Sequence, residues 1–299
     1  IEKKVIIEIP KWLDLEIKEF NFDGFAIKKA ITQNGETTIY TYTIENLNGN
    51  PKENYSPGPS FLYPHILFVA KSFSVKNEKK TLFSSSADLY KWYKSLVDSM
   101  KDDPSIFAEK VKELTANAKT DEEKIKNIYY WVQDNIRYIA FEDGIAGFKP
   151  DVSQNVFQKR YGDCKGMANL TKQMLKLAGF DARLCWIGTN HIAYDYSTPS
   201  LSVDNHMICA LIKDGKKYFL DGTEKYNSFG EYAQRIQGKE VLIEDGDKFI
   251  LDKIPTQKAA SNTEKSTINY VIENETLKGK VKAEYLGESR ASFLYNYNS

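Results

Sequence analysis

A change of hydrophobic period divides this chain into three zones. Extended patterns run to about residue 84, apolar residues at helical spacing follow from 86 to 178, and extended patterns return after Gly179. Helices and strands that are segregated along a chain favour an α+β fold. With 299 residues, the chain is long enough for two or three domains.

The N-terminal zone has the features of a β-sandwich. The segments 36–45 and 66–75 are rich in β-branched and aromatic residues, as strands are. The intervening segment 46–64 carries four prolines and two glycines, which predicts a long loop. We therefore expect a β-sandwich domain over residues 1–84.

The middle zone predicts a series of helices. Leu89, Trp92, Tyr93 and Leu96 recur at spacings of three and four residues. Thr120 begins a capping box of the kind that opens a helix. The predicted helices cover 86–100, 102–118, 120–135, 155–159 and 167–178.

The last zone predicts strands and a linker. The predicted strands cover 182–188, 205–213, 216–220, 241–244, 249–251, 268–272 and 279–285. The polar segment 256–267 predicts a linker. We expect a core domain over 85–255, and over 256–299 the linker and the start of a C-terminal β-module.

Composition excludes several classes of function. Lys and Arg together number 41, as do Asp and Glu, so the formal net charge is zero and nothing indicates binding to nucleic acid or an anionic membrane. No apolar run approaches the roughly 20 residues that cross a bilayer, and no secretory signal is present. Because the chain starts at Ile1, within a strand-like pattern, we expect the natural N-terminus to be missing.

The three cysteines occupy different contexts. Cys185 and Cys209 lie in apolar runs, which predicts buried thiols, or a disulfide if their strands are neighbours. No Cys-x-x-Cys and no zinc-type spacing occurs. Cys164 lies in Tyr161-Gly162-Asp163-Cys164-Lys165-Gly166, whose polar and glycine flanks are a poor context for a core residue.

Cys164 directly precedes a predicted helix, which lowers a thiol pKa from its usual value of about 8.5. Asp163 is the expected N-cap of this helix. We expect Lys165 to be solvated, although it would add positive charge beside the thiol. The competing interpretation of Cys164 is a small buried hydrophobe.

A predicted hairpin brings a histidine and an aspartate together. Asp214-Gly215 is a typical two-residue type I′ turn, which pairs Lys213 with Lys216. Continued along both strands, this register sets His206 and Asp221 on one face, one diagonal step apart. A three-residue loop would instead place them on opposite faces.

These residues have the chemistry of a catalytic triad. His206 would accept the thiol proton and return it to the leaving group, while Asp221 orients the ring. The backbone N–H of Cys164 and the side-chain amide of Gln158 are the candidate oxyanion donors. Gln158 is alternatively a solvated helix residue, and His65 and His191 lack a comparable acidic partner.

The motifs Tyr161–Lys165, Asp204-Asn205-His206 and Phe219–Thr223 resemble the transglutaminase-like family, a branch of the papain-like cysteine enzymes. Ile136-Arg137-Tyr138 adds to the likeness. The resemblance implies a papain/transglutaminase-like core of helices and antiparallel sheet between β-modules. It implies that Cys164 forms an acyl-thioester with help from the other triad members.

The expected function is a cysteine acyltransferase or hydrolase acting on amide groups of a protein or peptide substrate. Transglutaminase, deamidase, peptidase and amidase activities stay open, as does a catalytically inactive scaffold or protein-binding module at the cell envelope. No cofactor or metal is implied, and no acidic loop has a calcium-ligand pattern. Members of this branch imply a bacterial protein that is periplasmic or at the cell surface.

Overall fold

A computed structural model describes residues 2–49, 51, 53, 56–76 and 78–298. The strands are β1 (Lys3–Pro10), β2 (Leu13–Phe20), β3 (Lys28–Asn34), β4 (Thr37–Ile44), β5 (His65–Val75), β6 (Glu78–Thr81), β7 (Arg137–Tyr138), β8 (Tyr161–Gly162), β9 (Asp181–Ile187), β10 (His206–Lys213), β11 (Lys216–Leu220), β12 (Glu240–Asp245), β13 (Lys248–Lys253), β14 (Glu264–Glu273) and β15 (Thr276–Tyr285). The α-helices are α1 (Pro59–Leu62), α2 (Ser86–Asp98), α3 (Ala108–Thr115), α4 (Asp121–Asn135), α5 (Ser153–Lys159), α6 (Cys164–Leu177) and α7 (Glu288–Tyr297). Short 3-10 helices cover Pro104–Phe107, Gly144–Gly147 and Ala259–Ser261.

The N-terminal strands form two three-stranded sheets, with the orders β1-β4-β3 and β2-β5-β6. Their neighbours are antiparallel, and β2 carries a register shift between Asp14 and Leu15 where it pairs with β5. The β-structure predicted for residues 1–84 is therefore confirmed. Four residues of the predicted loop 46–64, at positions 50, 52, 54 and 55, lie outside the described residues, and α1 occupies the end of that segment.

The chain divides into two compact units that interleave along the sequence. Unit 1 comprises Ile1–Ser99, Trp186–His206 and Lys239–Asp252, and unit 2 comprises Met100–Cys185, Met207–Gly238 and Lys253–Ser299. Three segments of the predicted core 85–255 therefore belong to unit 1 with the N-terminal strands: 85–99, 186–206 and 239–252. β9 begins in unit 2 and ends in unit 1.

Unit 1 has an aromatic core around α2. The Ser85 side chain caps this helix by accepting a hydrogen bond from the backbone N–H of Asp88. One turn later the Tyr93 ring stacks on Trp186, with centroids 5.0 Å apart and an interplanar angle of 11°. Tyr90 meets the same indole edge-on. The tyrosine and tryptophan rings are buried, so α2 is fixed by packing as well as by its cap.

Unit 2 buries its apolar residues between α3, α4, α5, α6 and the strands β9 to β11. The cluster contains Phe107, Val111, Ile125, Ile128, Tyr129, Val132, Ile136, Val156, Met167, Leu170, Met174, Leu175, Ala182, Cys209, Leu211 and Leu220. In this unit the strand order is β11-β10-β9. Thr120 caps α4 as predicted, accepting from the N–H of Glu123, whose carboxylate accepts from the N–H of Lys119.

The C-terminal segment forms the two predicted strands, the first of which begins at Glu264 inside the predicted linker, and then a helix that was not predicted. β14 and β15 pair antiparallel from Glu264↔Tyr285 to Glu273↔Thr276. α7 is held to unit 2 where Arg290 donates to the carbonyl of Tyr226 at 2.8 Å. In the described part of the chain, no helix is long and apolar enough to span a membrane.

Candidate active site

Cys164 is the first residue of α6, as the sequence predicts. Asp163 caps the helix, its Oδ1 accepting a 2.8 Å hydrogen bond from the N–H of Gly166. The start of this 14-residue helix places backbone N–H groups and the positive end of the helix dipole beside the sulfur. Cys164 is 7% exposed, whereas Cys185 and Cys209 are completely buried. Among the described residues none of the three forms a disulfide bond, so the alternative pairing of Cys185 with Cys209 is wrong.

The surroundings of Cys164 differ from the sequence prediction in one respect. Residues 162–170 are all buried, including the glycines and the charged residues that looked unsuited to a core. A Cβ on Gly166 would lie 3.0 Å from Val156 Cγ2, and one on Gly162 would lie 3.1 Å from Val156 Cγ1. The two glycines therefore allow α5 to pack closely against the start of α6.

Lys165 is also buried, and the expectation that it is solvated is wrong. Its ammonium group is paired with Oδ2 of Asp163. Oδ1 of the same carboxylate accepts a hydrogen bond from the N–H of Gly166. Asp163 therefore both neutralises the charge of Lys165 and caps the helix. Tertiary packing decides this burial, since a lysine beside a helix N-terminus usually extends into water.

Asp221 follows β11 directly and is buried. The β10–β11 ladder runs from Cys209↔Leu220 to Lys213↔Lys216, which confirms the predicted two-residue register. Asp214 and Gly215 have φ values of 52° and 72°, as a type I′ turn requires. The Asp221 carboxylate accepts from the backbone N–H and the hydroxyl of Thr223, at 3.1 and 2.7 Å.

Arg235 is part of this carboxylate network and was not predicted. Its Nη2 donates to Oδ2 of Asp221 at 3.0 Å, and its Nε donates to Oε1 of Glu224 at 2.7 Å. Burial alone would lower the pKa of Arg235, but the charges of the two carboxylates outweigh burial and raise it. The arginine therefore stays charged and favours the ionised form of Asp221.

Two side chains of α4 hold the backbone of the segment after β11. The hydroxyl of Tyr129 donates to the carbonyl of Asp221 at 3.1 Å. Gln133 Nε2 donates to the carbonyls of Glu224 and Asn227 at 2.7 and 3.1 Å. These buried bonds fix the position of Asp221 independently of its own side-chain contacts.

His206 is the first residue of β10 and is buried. It is also the last residue of its segment in unit 1. Just before it, Asn205 is fixed by Thr189, whose backbone N–H donates to the amide oxygen at 3.0 Å and whose hydroxyl accepts from the amide nitrogen at 3.1 Å. The side-chain conformation of Asn205 thus fixes the backbone that leads into His206.

Asp204, two residues before His206, is held by tyrosine hydroxyls. Tyr93 donates to Oδ1 and Oδ2 at 3.0 and 2.9 Å, and Tyr196 donates to Oδ2 at 3.0 Å. Desolvation raises the pKa of Asp204 to about 7, although both hydroxyls act in the opposite direction. In the described part of the chain no cation lies within ion-pair distance of this carboxylate.

Residues 108–209 match the family model of the transglutaminase-like superfamily. The matched segment includes both Cys164 and His206, and Asp221 follows it. Over these residues the chain is similar to that superfamily. No curated protein matches the chain.

One solved structure supports the fold of this chain, and two others are less similar to it. A structure from Parabacteroides distasonis, described as a "putative protease", has a TM-score of 0.62 at 15% identity, over 90% of this chain and 50% of that one. The chain therefore spans about half the length of that protein. A structure described as a TGase has a TM-score of 0.32 at 14% identity over 71% and 47% of the two chains. A "putative cysteine protease" from Cytophaga hutchinsonii has 0.33 at 11% over 95% and 80%.

The structure shows no catalytic contact for two other candidate residues that it describes, Gln158 and His65. Gln158 is exposed on α5, and its oxyanion role stays a prediction. His65 has one ring nitrogen 2.8 Å from the carbonyl of Tyr63 and the other bonded to the hydroxyl of Tyr194. Among the residues that the structure describes, no group of three or more His, Cys, Asp or Glu is arranged to hold a metal ion.

Proposed function

We propose that this protein is a cysteine acyltransferase or hydrolase that acts on amide groups of a protein or peptide substrate. The observation that carries the proposal is Cys164 at the capped N-terminus of α6, within a segment that matches the transglutaminase-like superfamily. A cysteine at a helix N-terminus, where free backbone N–H groups face the sulfur, is a typical nucleophile for acyl transfer.

The reaction divides into two steps. The Cys164 thiolate attacks the carboxamide carbon, the C–N bond breaks, and the nitrogen leaves as ammonia or an amine with a proton from the His206 imidazolium. The acyl group is then bound to sulfur as a thioester. Water or a second amine attacks that carbon and loses a proton to the neutral imidazole, and the C–S bond breaks to restore the thiolate.

Asp221 and His206 act as a pair in this proposal. Continuing the register that the hairpin has at Lys213↔Lys216 predicts that the imidazole and the carboxylate share a face of the β10–β11 ladder. Arg235 supports the role of Asp221, because a paired guanidinium favours the ionised carboxylate that stabilises an imidazolium. The Cys164 N–H and Gln158 are the proposed oxyanion donors.

The pH dependence of alkylation tests the nucleophile. Iodoacetamide is reacted with the folded protein at a series of pH values, and modification of each cysteine is followed by peptide mass spectrometry. We expect Cys164 to be alkylated, and His206→Gln to change the pH dependence of its rate, because the imidazole would accept the thiol proton. Cys185 and Cys209, being completely buried, are internal controls that should not react.

Turnover assays separate the possible reactions. Incorporation of a fluorescent primary amine, release of ammonia and cleavage of peptide bonds identify a transglutaminase, a deamidase and a peptidase respectively. Cys164→Ala should abolish whichever activity is found, and Cys185→Ala is the matched control that should retain it. Activity that survives Cys164→Ala would refute the assignment. A Cys164 that iodoacetamide does not modify, together with no turnover, would favour the scaffold function.

The cellular location of the protein, periplasmic or at the cell surface, stays a prediction from the family resemblance.

A further inference from the structure

A cleft of about 430 Å³ opens beside the N-terminal end of α6 in unit 2. One side is the loop that connects β7 to α5, with Phe141, Ile145 and Lys149 along it. The other side is β8 and the cap residue Asp163. The cleft therefore ends one residue before the proposed nucleophile.

Backbone pairing fixes this cleft next to Cys164. β7 and β8 are parallel, with Tyr138 beside Gly162, and the N–H of Ile139 donates to the carbonyl of Gly162 at 2.9 Å. The pKa of Tyr138 is raised by burial first, and then by the nearby charges of Cys164 and Glu142. Tyr138, which precedes the loop between β7 and α5, therefore lies near the Cys164 thiol.

The cleft has an exposed apolar surface. Phe141 is 47% exposed and Ile145 is 56% exposed. The Phe141 ring packs against the ring of Tyr161, with centroids 5.9 Å apart, which holds the exposed phenyl group at the edge of the cleft. An apolar side chain packed against Phe141 and Ile145 would remove surface from water on both partners.

The charges in the cleft are unevenly matched. The Asp163 carboxylate is used by Lys165 and by the helix N-terminus. The Asp151 carboxylate accepts from Asn155 and lies 3.8 Å from the ammonium of Lys159. Lys149 is half-buried, and among the described residues no carboxylate lies within ion-pair distance of it. One positive charge therefore remains for a ligand.

We propose that this cleft binds the polypeptide acyl donor, with an apolar side chain against Phe141 and Ile145 and a carboxylate at Lys149. The inference rests on the proposed function, because the donor must lie beside the sulfur to which its acyl group becomes attached. It assigns a substrate class, peptides in which an apolar and an acidic residue adjoin the reactive amide. The carboxylate belongs to a side chain or to the peptide C-terminus.

Covalent peptide probes test this assignment. Short peptides with an N-terminal chloroacetyl group and an amidated C-terminus carry Phe and Glu, Phe and Lys, or Ser and Glu, each pair in both orders. The rate at which each probe alkylates Cys164 is measured by intact mass and divided by the rate with iodoacetamide. We expect the Phe/Glu probes to react about two- to fivefold faster than the Phe/Lys probes, the range of a partly exposed ion pair.

Charge reversal is the decisive variant. Lys149→Glu should invert the preference, so that the Phe/Lys probes become the faster set. Lys176→Glu makes the same change of charge at the exposed end of α6, outside the cleft, and should leave the preference unchanged. Phe141→Ala should remove the advantage of Phe/Glu over Ser/Glu. Probes of Phe and Gln with a free C-terminal carboxylate show whether that group replaces the acidic side chain.

The outcomes separate the inference from the proposed function. Equal normalised rates for all probes, or a preference that survives Lys149→Glu, would overturn the cleft assignment. In that case, labelling of Cys164 by iodoacetamide would still support its assignment as the nucleophile. If iodoacetamide does not label Cys164 at all, the proposed function fails and the cleft assignment fails with it.

Discussion

Replacing Asp204 with Asn should stabilise the protein, and should do so by more at pH 8 than at pH 5. Desolvation raises the pKa of Asp204 from 3.8 to about 7. The folded state therefore holds a proton between these pH values that the unfolded state has lost. Below about pH 4 the ionisation of Asp204 does not reduce the free energy of unfolding. As the pH rises this free energy falls, and above about pH 7 the full reduction is reached.

The magnitude follows from the same two values. A pH unit corresponds to 1.36 kcal/mol, so the interval from 3.8 to about 7 gives an upper limit of about 4 kcal/mol. Asp204 is half-buried, and its residual contact with water reduces this limit to about 2–3 kcal/mol. Asn keeps an oxygen for the Tyr93 and Tyr196 hydroxyls but cannot ionise, so its stability should not decline over this range.

Urea unfolding at pH 5 and pH 8, followed by tryptophan fluorescence, measures the difference in free energy of unfolding. Trp186 is a suitable reporter because it stacks on Tyr93, which binds the Asp204 carboxylate. Asp23→Asn, at an exposed position in the same unit, is the matched control and should show no comparable change with pH. A difference between Asp204→Asn and wild type that is equal at both pH values would refute the reasoning.

Two further substitutions test contacts within single units. Arg235→Gln removes the cation from the buried Asp221 carboxylate and should lower the free energy of unfolding by about 1–3 kcal/mol. The loss is smaller than for a fully buried pair because the arginine side chain is 35% exposed. An unchanged urea midpoint would show that the ion pair contributes nothing to stability. Gly188→Ala would place a Cβ 2.5 Å from the carbonyl oxygen of Val203 and should cost about 1–3 kcal/mol, while Gly49→Ala, which meets no atom within 4 Å, should be close to neutral in the same thermal melts.

The sequence predicted the parts of the fold that depend on near neighbours. The turn at Asp214-Gly215 needs only two residues that accept positive φ, so its register was readable from the chain and is confirmed. The caps Thr120 and Asp163 act over three residues and were predicted for the same reason. The transglutaminase-like motif around Cys164 is likewise continuous in sequence.

The parts that were not predicted depend on residues far apart in the chain. Arg235 reaches Asp221 across a segment without regular structure, and no periodic signal marks such a contact. The helix α7 follows an exposed hairpin and is fixed by contacts to Tyr226 and Lys225, more than sixty residues earlier. Neither contact can be predicted from the spacing of hydrophobic residues along the sequence.

By itself, the sequence determined the order of elements, the hairpin register and Cys164 at the start of a helix, because these follow from hydrophobic period, turn chemistry and capping. Only the tertiary structure decided that Lys165 is buried with Asp163, that Asp204 carries a raised pKa, and that the chain interleaves into two compact units. Desolvation and ion pairing depend on which distant residues exclude water from a group. That information lies in the packing and not in any local pattern.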